Sequence, residues 1–344
     1  MNRHSLSVML TMLALCVAAP AANGETDGQQ LAVGAGQSLI GTAAPRLILK
    51  TIDGETIDLD KLYGKKAVYL KFWATWCVPC RQQMPHFEHV YETAGPDLAV
   101  IAINIGFNDT IDAIRLYRKR LGITMPIVLD DGQVGTALHL RVTPQHIVIG
   151  RDGRIQYVGH LADASLDAAL VAARVASGVQ AANTLGQASS TPIVGKFKIG
   201  DTLPQHTVQT LENHSFQFQA PEPTKATVFV FLAPWCESYL ATTRPVVAGQ
   251  CRAARIQVTA LAQDEHIRWL GVASGLWTSK EDLEDYRSHY KIQIPLTLDD
   301  TGMLFRDFGV INTPTLIVAD ARGKIVRRIE PGELGSLRQL LRDL

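Results

Sequence analysis

Cysteine is scarce in this chain: five among 344 residues, of which only Cys77 and Cys80 stand close together. That scarcity excludes a fold held by a dense disulfide framework and leaves room for one reactive pair. Net charge is missing as well. The 33 basic and 33 acidic residues cancel, so there is no electrostatic footprint for nucleic acid or an anionic membrane surface, and the expected partners are proteins or small molecules. Long apolar runs are absent too. The N-terminal run from Val8 to Ala19 is about 12 residues, broken only by Thr11, against the ~20 needed to cross a bilayer. No second Cys-x-x-Cys or spaced His pair offers the remaining ligands of a structural zinc site; His86 and His89 read as surface residues of a helix. No metal and no cofactor is expected.

What is present at the N-terminus is a short basic start, the apolar run and the small-residue stretch Ala18-Ala19-Pro20-Ala21-Ala22. This predicts a secretory signal over residues 1–22, cleaved near Ala21, and an exported, periplasmic or similar, location with no stable membrane span afterwards. Cys16 leaves with it, and Leu15 before it is not the small residue a lipidation signal carries.

The same order of features then occurs twice. Gly41 to Pro45 recurs as Gly200 to Pro204, 159 positions on. Each introduces an alternating stretch with a turn, at Asp53-Gly54 or Glu212-Asn213, that reads as a hairpin. Each is followed by a buried-strand run, Ala67 to Trp73 or Ala226 to Leu232, and then by Trp76-Cys77 or Trp235-Cys236. Later landmarks, Leu129-Asp130-Asp131 with Leu298-Asp299-Asp300 and Thr143-Pro144 with Thr313-Pro314, are about 170 apart. The second copy therefore carries about ten extra residues, which we place around Trp269 to Ser279. Helical stretches are predicted at Thr110 to Leu121, Ser279 to Tyr290, Ala164 to Val175 and Glu333 to Leu344. The fold class is α/β, two tandem units each with a central mixed sheet flanked by helices. The expected boundaries are 38–175 and 196–344, joined by a small, polar linker over 176–195.

Cys77 and Cys80 follow a buried strand and open a helix. That spacing brings two sulfurs within disulfide reach and puts the first over a helix N-terminus, where unpaired N–H groups and the positive dipole end favour thiolate. Cys77 is the candidate nucleophile; Cys80, one turn further in and more shielded, is the candidate resolving thiol. A static disulfide or a pair of core cysteines remains the bland alternative.

The run Phe72-Trp73-Ala74-Thr75-Trp76-Cys77-Val78-Pro79-Cys80-Arg81, with Pro85 in the helix and Val142-Thr143-Pro144 later, resembles the TlpA/ResA branch of the thioredoxin superfamily over about residues 38 to 175. The resemblance implies a thioredoxin-like fold and protein-disulfide reductase activity. It implies that Pro144 is a cis-proline and that Trp76, Val78, Pro79, Thr143 and Pro144 form the ledge on which an extended client segment lies. It further implies clients with disulfides, such as apocytochrome c or copper-delivery proteins in cytochrome c biogenesis, and a membrane thiol reductase as electron donor. Lys71 departs from thioredoxin, which has a buried Asp six residues before its first Cys.

In the second copy Tyr239 stands where the resolving Cys would be. Cys236 keeps the helix-start position and is a possible accessory thiol. Cys251 is the other thiol nearby, but 15 residues of continuous helix span about 22 Å, beyond disulfide reach unless the helix breaks near Pro245 or Gly249. A binding or adaptor protein and a disulfide isomerase, with the second unit docking clients, are the competing functions.

Overall fold

A computed structural model of the chain describes residues 21–176, 195–219, 225–335 and 337–341. The expected signal over 1–22 and the linker over 176–195 therefore lie almost wholly outside the described residues.

The first element, α1 (Ala21–Gly36), was not anticipated, because four glycines within it depress helix propensity. It packs on β7, defined below. At Gly28 a side chain would meet Trp277 and His160 within 2.8 Å, so close approach accounts for that glycine.

The first unit then runs β1 (Ile48–Lys50), β2 (Thr56–Asp58), β3 (Ala67–Trp73), α2 (Val78–Gln82), α3 (Met84–Glu92), β4 (Leu98–Asn104), α4 (Ile111–Leu121), β5 (Ile127–Leu129), α5 (Gln133–Ala137), β6 (Gln145–Ile149), β7 (Ile155–Gly159) and α6 (Ala164–Val175). The second runs β8 (Thr207–Gln209), β9 (Ser215–Gln217), β10 (Ala226–Leu232), α7 (Cys236–Thr243), α8 (Pro245–Leu261), β11 (Ile267–Ser274), α9 (Lys280–Tyr290), β12 (Leu296–Asp299), α10 (Met303–Asp307), β13 (Thr315–Ala319), β14 (Ile325–Ile329) and the short α11 (Leu337–Leu340).

Each unit has a five-stranded mixed sheet, in the orders β5-β4-β3-β6-β7 and β12-β11-β10-β13-β14. The central strands β3 and β10 are each parallel to one neighbour and antiparallel to the other. Helices cover both faces, which is why these two strands read as unbroken apolar runs rather than as alternation. Both expected hairpins form, as β1-β2 and β8-β9. Thr110 and Ser279 cap α4 and α9 by accepting from a backbone N–H three residues on. The ten extra residues of the second unit are not around Trp269 to Ser279. They lengthen α8, which has 17 residues where α3 has 9. The closing helix of the second unit is shorter than expected, with a 3-10 turn at Pro331–Glu333 preceding α11.

The two units face each other through their Cys-bearing ends, in a reciprocal way. Asn108 N donates to Ile311 O at 2.8 Å, and its counterpart Trp277 N donates to Arg141 O at 2.7 Å. Trp76 Nε1 donates to Phe107 O at 2.7 Å, and Trp235 Nε1 to Leu276 O at 2.6 Å. Gly106 and Gly275 shape the two loops; a Cβ there would lie 2.4 Å from Asp130 O and 2.7 Å from Asp300 Cα. One apolar cluster runs through the junction, with Phe107 against Trp235 and Phe305.

Candidate active site

β3 ends at Trp73, and α2 starts five residues later at Val78, so Cys77 becomes the helix N-cap. Its Sγ accepts from Cys80 N at 3.1 Å, a contact that supplies one of the helix's unpaired donors. Pro79 fits the first turn because its missing N–H is not needed there. Cys77 and Cys80 form a disulfide, with Cα atoms 5.2 Å apart. The Thr143-Pro144 bond is cis, and Cys77 Sγ lies 3.4 Å from Thr143 O. Trp76, Cys77 and Thr143 thus meet in one place, while Val78 opens the helix beside them.

Cys80 is expected to be the more shielded sulfur, and the structure covers both. Cys77 is 1% and Cys80 0% exposed. The cover comes from the second unit. Trp235 and Tyr239 pack on Trp76 with ring centroids 5.3 and 6.1 Å away. Tyr239 Oη accepts from Val78 N at 3.2 Å, and Trp277 Nε1 donates to Thr143 Oγ1 at 3.4 Å.

Two polar networks flank the disulfide, and neither was found from sequence. Asp109 accepts from Thr75 N and Asn104 Nδ2, both at 2.8 Å, and also from the Thr75 hydroxyl. Arg244 of the second unit pairs with the same buried carboxylate at 3.4 Å. On the other side His146 Nε2 donates to Gln83 Oε1 at 2.9 Å, so its Nδ1 accepts from Tyr69 Oη at 2.8 Å. Gln83 Nε2 donates to His160 O, and His160 Nδ1 donates to Pro144 O at 2.6 Å, tying the network to the ledge. Burial, and next the charge of Lys71, hold His146 well below the usual imidazole range, so it is neutral. These residues are spread from position 69 to 244, and no local spacing marks them.

Lys71 is fully buried and its Nζ has no hydrogen-bond partner among the described residues; it rests 5.2 Å from the Phe87 ring centroid. Burial pulls its pKa down to about 7.

At the second site the structure corrects the sequence reading. Cys236 is bonded to Cys251, with Cα atoms 6.3 Å apart. Cys236 is therefore not available as the possible accessory thiol, and the helix break near Pro245 that would bring Cys251 within reach is present. The helix breaks at Arg244, whose φ of −143° and ψ of 63° are non-helical, so α7 and α8 fold back on each other. Pro245 in the first turn of α8 is the signal that marked this break. Glu237, beside Cys236, is paired with Arg255 at 2.6 Å and Arg252 at 3.7 Å.

Comparison with known proteins gives a consistent set. The AhpC/TSA family model matches residues 40–158. Thioredoxin-like protein YneN of Bacillus subtilis is 35% identical over 117 residues, which cover 34% of this chain and 68% of that protein. Thiol-disulfide oxidoreductase ResA of Bacillus subtilis is 34% identical over 128 residues, 36% of this chain and 70% of that protein. Among solved structures, a thiol:disulfide interchange protein of Chlorobium tepidum is 27% identical, with a TM-score of 0.36, over 39% of this chain and 97% of that one.

Proposed function

The chain belongs to the thioredoxin-like thiol-disulfide oxidoreductases, and from that premise we propose that it reduces disulfides of client proteins outside the cytoplasm through Cys77 and Cys80. The observation that carries this reading is the place of Cys77 Sγ, at the N-terminus of α2 and 3.4 Å from Thr143 O beside Pro144. In the reduced protein the helix N-terminus favours the Cys77 thiolate. That thiolate attacks one client sulfur and expels the other. Cys80 then attacks Cys77 Sγ, releasing the reduced client and closing the disulfide. Trp76, Val78, Pro79, Thr143 and Pro144 form the client ledge. A membrane thiol reductase restores the dithiol, and the signal read in the N-terminal sequence supports the periplasm or an equivalent exported compartment. Among the described residues no helix is long and apolar enough to cross a membrane.

A second reading, a client-docking adaptor, draws support from the cover over the disulfide, since a client reaches Cys77 only when Trp235, Tyr239 and Trp277 give way.

The test is Cys80→Ala with a disulfide-bearing protein such as insulin. Loss of turnover together with a covalent adduct on Cys77 supports the reductase, whereas turnover or client affinity that survives unchanged supports the adaptor. Direction follows from the potential of the Cys77/Cys80 couple: well below about −200 mV for a reductase, near about −120 mV for an oxidant or isomerase.

A further inference from the structure

We propose that Cys236–Cys251 is a second exchangeable disulfide, opened by attack of an external thiolate on Cys251, rather than a structural staple. Three observations place it. Cys251 Sγ lies 3.6 Å from Thr313 O, the residue before Pro314, as Cys77 Sγ lies 3.4 Å from Thr143 O before Pro144. The second unit thus presents a sulfur to its own ledge, supplied from the second turn of α8 rather than from the start of α7.

The two sulfurs are also unequal. Cys236 is 0% exposed and Cys251 9%. A cleft of about 30 Å³ is lined by Cys251, Pro314, Glu237, Arg255 and Tyr286. Cys236 is not part of its wall. An incoming thiolate therefore meets Cys251 first.

The leaving group is placed to leave. Cys236 is the first residue of the eight-residue helix α7, where unpaired N–H groups and the positive dipole end stabilise a thiolate. Glu237 beside it is buried, and its charge is met by Arg255 and Arg252. Low thiolate pKa in the leaving sulfur speeds exchange.

The step balances with a dithiol as reductant. Its first thiolate bonds to Cys251 Sγ and the Cys251–Cys236 bond breaks, leaving Cys236 as thiolate. Its second thiol then attacks the first sulfur of the reductant and expels Cys251. The reductant ends as a disulfide, and its two protons end on Cys236 and Cys251. The chemical class of partner is a protein or small-molecule dithiol, and with glutathione two molecules take the two roles.

The test uses the full chain carrying Cys16→Ser, Cys77→Ser and Cys80→Ser, so that its outcome is independent of the first site. The folded protein is incubated with reduced glutathione or dithiothreitol, quenched in acid and labelled with a maleimide, and labels are located by peptide mass. We expect two labels, on Cys236 and Cys251, while circular dichroism shows the native fold. Labels that arise only at denaturant concentrations that unfold the protein overturn the proposal. Should the triple variant not fold, the unaltered chain is titrated the same way. Two labels each at the first and second pairs in the folded state support the proposal, and labels on Cys77 and Cys80 alone overturn it. With oxidised glutathione, Cys236→Ser is expected to take an adduct on Cys251, and Cys251→Ser none on Cys236; an adduct on Cys236 instead overturns the assigned order of attack.

Discussion

The two halves of this molecule share strand order, hairpins, a cis-proline each and even the register shift within the last strand pair, between Val148 and Ile149 and between Val318 and Ala319. They differ where chemistry is done. The first builds its disulfide within one helical turn, at the N-cap of α2. The second has lost the nearby partner to Tyr239 and finds another in α8, the helix that also took up the extra length. Beneath the first site lies Lys71 and at the equivalent position beneath the second lies Val230, both in the central strand. The same scaffold thus tolerates two ways of bringing sulfurs together, because what it conserves is the ledge and the strand that leads to it.

The sharpest way to break the comparison is to remove sulfurs from either half. Cys77→Ser is expected to lower insulin reduction by on the order of a thousandfold or more, since covalent catalysis has no substitute there. Cys251→Ser should stay within about threefold in the same assay, because insulin turns over at the first site. Equal losses in the two variants would mean that the halves form one catalytic unit.

Next in size is the buried cation. Lys71 titrates at about 7 in the folded protein against 10.5 for the ordinary group. The unfolded chain therefore binds more protons between those values, and stability should rise with pH through that window. Above ~10 the buried tyrosines, such as Tyr63 with its pKa raised by burial, reverse the trend, so pH 7 to 9 is the range to use. Lys71→Met, which makes the first half apolar like the second, should stabilise by about 4 kcal/mol at pH 7 and about 2 kcal/mol at pH 9. Urea unfolding at both pH values checks this. A gap that does not narrow with pH would remove the desolvation argument.

The contact between halves comes third. Trp235→Ala takes away an aromatic pair and its buried area, about 2–3 kcal/mol, and should raise alkylation of Cys77 in the reduced protein on the order of 30- to 150-fold. An unchanged rate would show that the cover does not limit access. The smallest effect is expected of Tyr239→Phe, which deletes the hydroxyl that accepts from Val78 N. A hydrogen bond of this kind is worth about 1 kcal/mol, so the same alkylation assay should speed up by about fivefold.

Periodicity and local spacing carried far. The strands Ala67–Trp73 and Ala226–Leu232, both hairpins, and the helices after Thr110 and Ser279 all form where apolar runs and capping residues place them. So did the Cys77–Cys80 pair, because a three-residue spacing at a helix start leaves little else for two sulfurs to do. α1 was missed because its four glycines argue against a helix that packing against β7 stabilises. The position of the extra residues was missed because lengthening a helix leaves no mark in the landmarks on either side.

Other features depend on atoms far apart in the chain. That Cys236 meets Cys251 was decided by one non-helical residue, Arg244, since distance along a helix grows by ~1.5 Å per residue and a single break folds it back. That Arg244 reaches Asp109, that Tyr239 caps Val78, and that Trp277 lies over Thr143 were decided by how two units dock. Sequence alone determined the repeat, the sheets and the first dithiol, because those rest on contacts within a few turns or on hydrophobic period. Only the tertiary structure decided which sulfur the second half would use and that the two sites would cover each other, because packing between distant segments leaves no period to read.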